Sequence, residues 1–235
     1  MGITGRGSAR RISGVVFDLD DTLVLSTVDY AKFKRLVIER IGSYGEDKSL
    51  YSPAETIVAI VSRYEEHLEQ SGIPEPEIRR RLAELDRIMD KVELERVGDT
   101  QAVEGAARLL QLLRSRDIKI GVLTRGCEEY AKGALRTTGL LGLVDELECR
   151  NSTMPAKPNP ASYLRLVERL GIPKEETLFV GDHPIDAQCA KNAGVPFVAV
   201  ETGDVPEGDL RAAGCVAVFR DVGQMVDWFS ELLER

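Results

Sequence analysis

Apolar positions along this chain follow two different periods. Val15-Val16-Phe17 is a compact β-branched and aromatic run, and the pattern over 12–23 predicts a strand. From about Val103 onward, short apolar runs alternate with amphipathic stretches. Leu109, Leu110, Leu112 and Leu113 predict a helix leading into a strand over 118–124. A helix over Glu128–Thr137 is expected to stop at Gly139, because glycine tolerates the left-handed conformation that closes helices. Asn159-Pro160 predicts a capped helix start with proline in the first turn, ended by Gly171. Thr177–Gly181 predicts another buried strand, followed by a helix over 185–193 closed by Gly194. Strands over Phe197–Val200 and 215–219, and a last helix over 222–233, complete the series. Strands and helices alternating at this length predict an α/β fold, a doubly wound parallel sheet covered on both faces.

Residues 24–99 read differently: they show helical periodicity and no convincing strand. Tyr30, Phe33, Leu36, Val37 and Ile41 share one helical stripe. Ser52-Pro53-Ala54-Glu55 reads as a capping box opening a second helix through Ile57, Ile60, Val61, Tyr64 and Leu68. Ile78, Leu82, Leu85, Met89 and Val92 then recur at three and four, the seam of a third. The expected organisation is an α/β domain built from 12–23 and 100–235, an all-helical domain inserted over 24–99, and a flexible tail over 1–11.

Composition narrows the class. A chain of 235 residues with 43% hydrophobic and 30% charged residues has an ordinary soluble, globular balance. A net charge of −8 argues against a nucleic-acid partner, which requires a basic surface. No apolar run approaches the roughly 18 residues of a membrane span, and the first residues lack the apolar core of a secretion signal. Cys127, Cys149, Cys189 and Cys215 are scattered and form no CxxC pair, so neither a zinc knuckle nor a disulfide framework is expected. Buried thiols in the cytoplasm are the expectation.

Candidate chemistry gathers at strand ends. Asp18 and Asp20 follow the first strand two residues apart, a spacing that turns both carboxylates to one side of an extended backbone. Two acids so placed resist joint ionisation and call for a metal or a division of roles; they also fit simple turn formers and helix caps. Thr124, before Arg125-Gly126, is either a helix cap or a hydroxyl beside free N–H groups suited to phosphate. Lys157 is either a solvated surface lysine or a cation held on the stiff approach to Pro158-Asn159-Pro160. Gly181-Asp182-His183-Pro184-Ile185-Asp186 places two further acids four apart, as cap or as site.

Taken together, these residues resemble the four motifs of the haloacid dehalogenase superfamily. Asp18-Leu19-Asp20-Asp21-Thr22 is similar to the first motif, Thr124 to the second, Lys157 to the third, and Gly181-Asp182 with Asp186 to the fourth. The resemblance implies a Rossmann-like core with a helical cap, in the branch containing phosphoglycolate phosphatase and β-phosphoglucomutase. The intervals from Thr124 to Lys157 and from Lys157 to Asp182 leave no room for another insert. It implies that Asp18 is the nucleophile and Asp20 the acid and base, with Thr124, Arg125 and Lys157 binding phosphate. It further implies Mg²⁺ held by Asp18, the Asp20 carbonyl and Asp182, with Asp186 acting through water or by orienting Lys157. Charge arithmetic agrees, because one lysine cannot balance four acids and a phosphoryl ester.

An acid at position 20 points to an oxygen leaving group, since halide and carbon leaving groups in the superfamily do without one. Arg125 and His183 depart from the residues most relatives carry there. The expected activity is Mg²⁺-dependent hydrolysis of a small phosphorylated metabolite by a monomer or small homo-oligomer, without nucleic-acid or membrane partners. A phosphomutase of the same superfamily and a phospho-aspartate switch that does not turn over are the alternatives. Cap residues such as Lys32, Lys34, Arg35, Arg63 and the Arg79-Arg80-Arg81 run are expected to be mostly solvated, with at least one basic or polar group reading the organic part of the substrate.

Overall fold

The computed structural model describes residues 11–152 and 155–233, so the tail expected over 1–11 lies, apart from Arg11, outside the described residues. The strands in chain order are β1 (Gly14–Phe17), β2 (Val24–Leu25), β3 (Gln101–Ala102), β4 (Lys119–Leu123), β5 (Glu146–Glu148), β6 (Thr177–Gly181), β7 (Phe197–Val200) and β8 (Ala217–Phe219). The α-helices are α1 (Tyr30–Ser43), α2 (Ile57–Gln70), α3 (Glu75–Leu94), α4 (Ala106–Ser115), α5 (Glu128–Thr137), α6 (Pro160–Leu170), α7 (Pro184–Ala193), α8 (Glu207–Ala212) and α9 (Met225–Leu233). Two compact units result: one joins the described residues up to Ser26 with those from Gly98 onward, and the other is Thr27–Val97.

In the first unit, six parallel strands form one sheet in the order β5-β4-β1-β6-β7-β8. Strand β1 is buried throughout and sits between β4 and β6, which is why its sequence is continuously apolar. One face of the sheet, including Val16, Leu123, Phe179, Phe197 and Ala199, packs against Tyr163, Leu166 and Leu170 of α6 and Ala187, Ala190 and Ala193 of α7. Helices α4 and α9 pack together, with α4 against β4. The predicted caps are in place: Asn159 caps α6 through its side chain, and Gly171 and Gly194 close α6 and α7 in the left-handed conformation.

The registers set up the site. Phe17 lies beside Val122 on one side and Val180 on the other. The residues that follow, Asp18, Thr124 and Asp182, therefore leave the sheet at the same edge. This is the carboxyl edge where β1 parts the two halves of the strand order, the crevice in which open α/β sheets bind ligands.

Several elements differ from the sequence expectation. The first strand ends at Phe17, well before residue 23, because the chain turns back on itself, with Thr22 and Leu23 N–H groups donating to the Leu19 carbonyl. Val24–Leu25 then pairs antiparallel with Gln101–Ala102, so the α/β unit keeps residues through Ser26 and resumes at Gly98. Only half of the capping box at Ser52 and Glu55 forms: the Glu55 carboxylate accepts the Ser52 N–H, but the Ser52 hydroxyl accepts the Ala54 N–H, and the Glu55 N–H donates to the Ser52 carbonyl to close an isolated turn. Helix α2 starts later, at Ile57, because the extended Thr56 caps it by accepting the Ala59 N–H. The last strand and helix begin at Ala217 and Met225, and β5 and α8 were not predicted at all.

The Thr27–Val97 unit is helical, with a core of Phe33, Val37 and Ile41 from α1, Ile60, Tyr64 and Leu68 from α2, and Ile78, Leu85, Met89 and Val92 from α3. Among the described residues no helix is long and apolar enough to cross a membrane, and all four cysteines are free thiols.

Candidate active site

Four of the residues singled out in the sequence meet in one buried cluster. Lys157 Nζ donates to Asp18 Oδ1 at 2.5 Å and to Asp186 Oδ1 at 2.7 Å. Asp18, Asp182 and Asp186 each offer a carboxylate oxygen within 4.8 Å of the others. All four side chains are buried. Lys157 is thus no solvated surface lysine; the Lys157–Pro158 peptide beside it is cis.

Local structure explains each position. Asp18 is tied to the sheet through its N–H, which donates to the Val180 carbonyl at 2.8 Å. Asp186 lies in the first turn of α7, and its Oδ2 accepts the His183 N–H at 3.2 Å, closing a capping box with His183. The His183 ring accepts the Ile185 N–H through Nδ1, so this imidazole is a helix cap, and burial pushes its pKa down. Gly181 is needed here because a Cβ would stand 2.6 Å from Asp186 Oδ2. Gly203, after β7, plays the same part for Asp182, where a Cβ would stand 2.1 Å from Oδ2. On its other oxygen Asp182 accepts the buried Thr22 hydroxyl at 3.1 Å.

The electrostatics are those of a cluster short of positive charge. Burial, then the Asp186 carboxylate, raises Asp18 to about 6 against the pull of Lys157. Burial, then Asp18 and Asp186, raises Asp182 to about 9. Burial alone would lower Lys157, but the charges of Asp18 and Asp186 outweigh it and hold the ammonium firmly protonated. Three hard carboxylates that share one lysine fit a divalent cation, which takes oxygen ligands and supplies the missing charge.

Asp20 stands apart from that cluster in its side-chain contacts. Its Oδ1 accepts the Tyr130 hydroxyl at 2.5 Å, and burial, then Asp18, raises it to about 7. Thr124 is buried, and its hydroxyl oxygen accepts the Gly126 N–H at 2.9 Å. Arg125 turns to the scaffold, where Nη1 donates to the Lys157 carbonyl at 2.5 Å. Arg150 adds a second tie by donating from Nη1 to the Arg125 carbonyl at 2.9 Å. Sequence reasoning did not select Tyr130, Arg150 or Gly203, and it carried Thr22 only as the last residue of the first motif. Of these, Tyr130 reads in the sequence only as an apolar position of an amphipathic helix.

The model of the haloacid dehalogenase-like hydrolase family matches residues 15–200. The chain is 29% identical to phosphoglycolate phosphatase of Rhodospirillum rubrum, over 91% of this chain and 89% of that protein. It is also 29% identical to phosphoglycolate phosphatase of Nitrosospira multiformis, over 86% of this chain and 90% of that one. Among solved structures, a hydrolase from Pseudomonas syringae shares the fold at a TM-score of 0.66 and 20% identity, covering 93% of this chain and 98% of that chain. β-Phosphoglucomutase from Clostridium difficile does so at a TM-score of 0.66 and 19% identity, covering 95% and 97%. The chain belongs to the haloacid dehalogenase-like hydrolase family, as an enzyme of its phosphatase type.

Proposed function

We propose that this enzyme hydrolyses a small phosphomonoester with Mg²⁺, through an aspartyl-phosphate on Asp18. The observation that carries the reading is the buried cluster of Asp18, Asp182 and Asp186 around Lys157, three acids answered by a single lysine. An oxygen of Asp18 attacks phosphorus while the bond from phosphorus to the leaving oxygen breaks, and Asp20 gives that oxygen its proton. Water then attacks phosphorus, Asp20 takes the water's proton, and the acyl-phosphate bond breaks to restore Asp18. Lys157 neutralises the Asp18 carboxylate and the charge that collects on the phosphoryl oxygens. Thr124 and the N–H groups after it bind those oxygens. Asp18, the Asp20 carbonyl and Asp182 would hold Mg²⁺, which would supply the remaining positive charge. Asp186 orients Lys157, in keeping with the 2.7 Å contact between them. The relatives named phosphoglycolate phosphatase support a small phosphorylated substrate.

A panel of phosphomonoesters assayed for released phosphate tests this. Mg²⁺-dependent release is expected with the parent enzyme, none with Asp18→Asn, and none in excess EDTA until Mg²⁺ is restored. Undiminished release by Asp18→Asn or in EDTA overturns the reading. Isomerisation of a sugar phosphate without net release would identify a phosphomutase instead.

A further inference from the structure

Asp20 lies on a loop that reverses direction just past β1. Its neighbour Asp21 has a positive φ of 52°, and the Asp21 N–H donates to the Val24 carbonyl at 2.7 Å. A carboxyl on such a turn is free to rotate unless something holds it. The structure supplies a holder from far along the chain: Tyr130, on α5, places its hydroxyl 2.5 Å from Asp20 Oδ1. The Ser26 side chain also hydrogen-bonds the Asp20 carboxylate.

Three features make the tyrosine contact a built one. The Tyr130 side chain is 0% exposed, so its hydroxyl has a fixed direction and its ring cannot reach a substrate. The first turn of α5 is anchored by Cys127, whose sulfur accepts the Tyr130 N–H at 3.5 Å. Gly126 makes room for the ring, because a Cβ there would stand 2.7 Å from Tyr130 Cδ1.

We infer that Tyr130 is a positioning residue for the proton-transferring carboxyl of Asp20, selecting which of its two oxygens carries the proton. A phenol that donates to Oδ1 makes Oδ1 the carbonyl oxygen of the protonated acid, which leaves the transferable proton on Oδ2. The phenol also fixes the plane of the carboxyl, and proton transfer depends steeply on that alignment. This rests on the proposed role of Asp20 as acid and base.

Leaving-group dependence tests it. Expulsion of an alkoxide needs a proton donor, whereas 2,4-dinitrophenolate leaves without one. The quantity to read is kcat/KM for an alkyl phosphate divided by kcat/KM for 2,4-dinitrophenyl phosphate. Because kcat/KM covers only steps up to leaving-group departure, and both values come from one preparation, the ratio is independent of the fraction of active enzyme. Tyr130→Phe keeps the buried ring and removes the hydroxyl; the ratio is expected to fall roughly 10–100-fold. Gly126→Ala keeps the hydroxyl but displaces the ring, and is expected to lower the same ratio even if Tyr130→Phe yields no active protein. Asp20→Asn should lower it further, by roughly 10²–10⁴-fold. If Asp20→Asn lowers the ratio and the other two variants leave it unchanged, the role given to Tyr130 is wrong. If Asp20→Asn itself leaves the ratio unchanged, the underlying assignment of Asp20 falls.

Discussion

At the residue scale, the site is governed by a shortage of positive charge around Asp182. Its carboxyl is raised from 3.8 to about 9, mainly by burial and then by Asp18 and Asp186. A raised carboxyl in the folded state keeps a proton that the unfolded chain has already released. Without metal, the contribution of Asp182 to stability is therefore greatest below about pH 4 and declines as pH rises toward about 9. Thermal melts in EDTA should show a midpoint that falls between about pH 6 and about pH 9, with stabilisation by Mg²⁺ growing over the same interval. Asp182→Asn should flatten this dependence; an unchanged slope in that variant would assign it elsewhere. Gly203 offers a second handle, since a Cβ there would press within 2.1 Å of Asp182 Oδ2. Gly203→Ala is expected to raise the Mg²⁺ concentration for half-maximal activity about 10-fold or more, and an unchanged Mg²⁺ dependence would contradict it. Asp18, Asp182 and Asp186 were legible in the sequence because they follow strands or lie in the first turn of a helix, whereas Lys157, in the turn before α6, was legible only through the resemblance of the four motifs as a set. Tyr130 and Gly203 were not, because their importance comes from what they touch across the fold.

At the element scale, β5 shows how an edge strand escapes a sequence reading. Its residues Glu146-Leu147-Glu148 carry acids where an apolar run is expected, yet Glu148 is only 1% exposed. Its charge is met by two arginines of α6: Arg165 at 2.7 Å and Arg169 at 2.8 Å. Glu148→Ala leaves both cations without that partner. Because the arginines remain partly solvated, the expected loss is about 1–3 kcal/mol, less than for a fully buried pair. Urea denaturation reads this as a lower midpoint for the α/β unit; an unmoved midpoint would make the pairing energetically idle. The helices α6 and α7, by contrast, were readable to within a residue, since Asn159, Gly171 and Gly194 act locally on the backbone. In the helical unit the basic residues find acids nearby. Lys32 pairs with Glu95, Arg63 with Glu55, Arg79 with Glu75, Arg80 with Glu77 and Glu84, and Arg81 with Glu77 and Glu46. The pairs within α3 follow the i,i+3 and i,i+4 spacing that helical periodicity encodes, whereas Lys32–Glu95, Arg63–Glu55 and Arg81–Glu46 join separate elements and depend on packing.

At the scale of the whole molecule, alternation of strand and helix sufficed to predict a parallel sheet, and the strand registers explain why distant motifs converge. Phe17, Val122 and Val180 lie side by side, so residues separated by more than half the chain emerge at one edge. The interruption by Thr27–Val97 leaves that register intact, because β2 and β3 pair where the chain departs and returns. What this arrangement is proposed to achieve is a covalent phosphoryl intermediate on Asp18, and that can be observed directly. The Asp20→Asn variant, slow to hydrolyse an acyl phosphate, would be mixed with Mg²⁺ and 2,4-dinitrophenyl phosphate, an ester whose leaving group departs without a proton donor, then quenched in acid and treated with borohydride. Reduction of an aspartyl-phosphate converts the residue to homoserine, which peptide mass spectrometry locates. The account predicts conversion at Asp18 only when the ester is present, and none when Asp18→Asn is combined with Asp20→Asn; conversion at a different acid, or phosphate release without any conversion at Asp18, would contradict it.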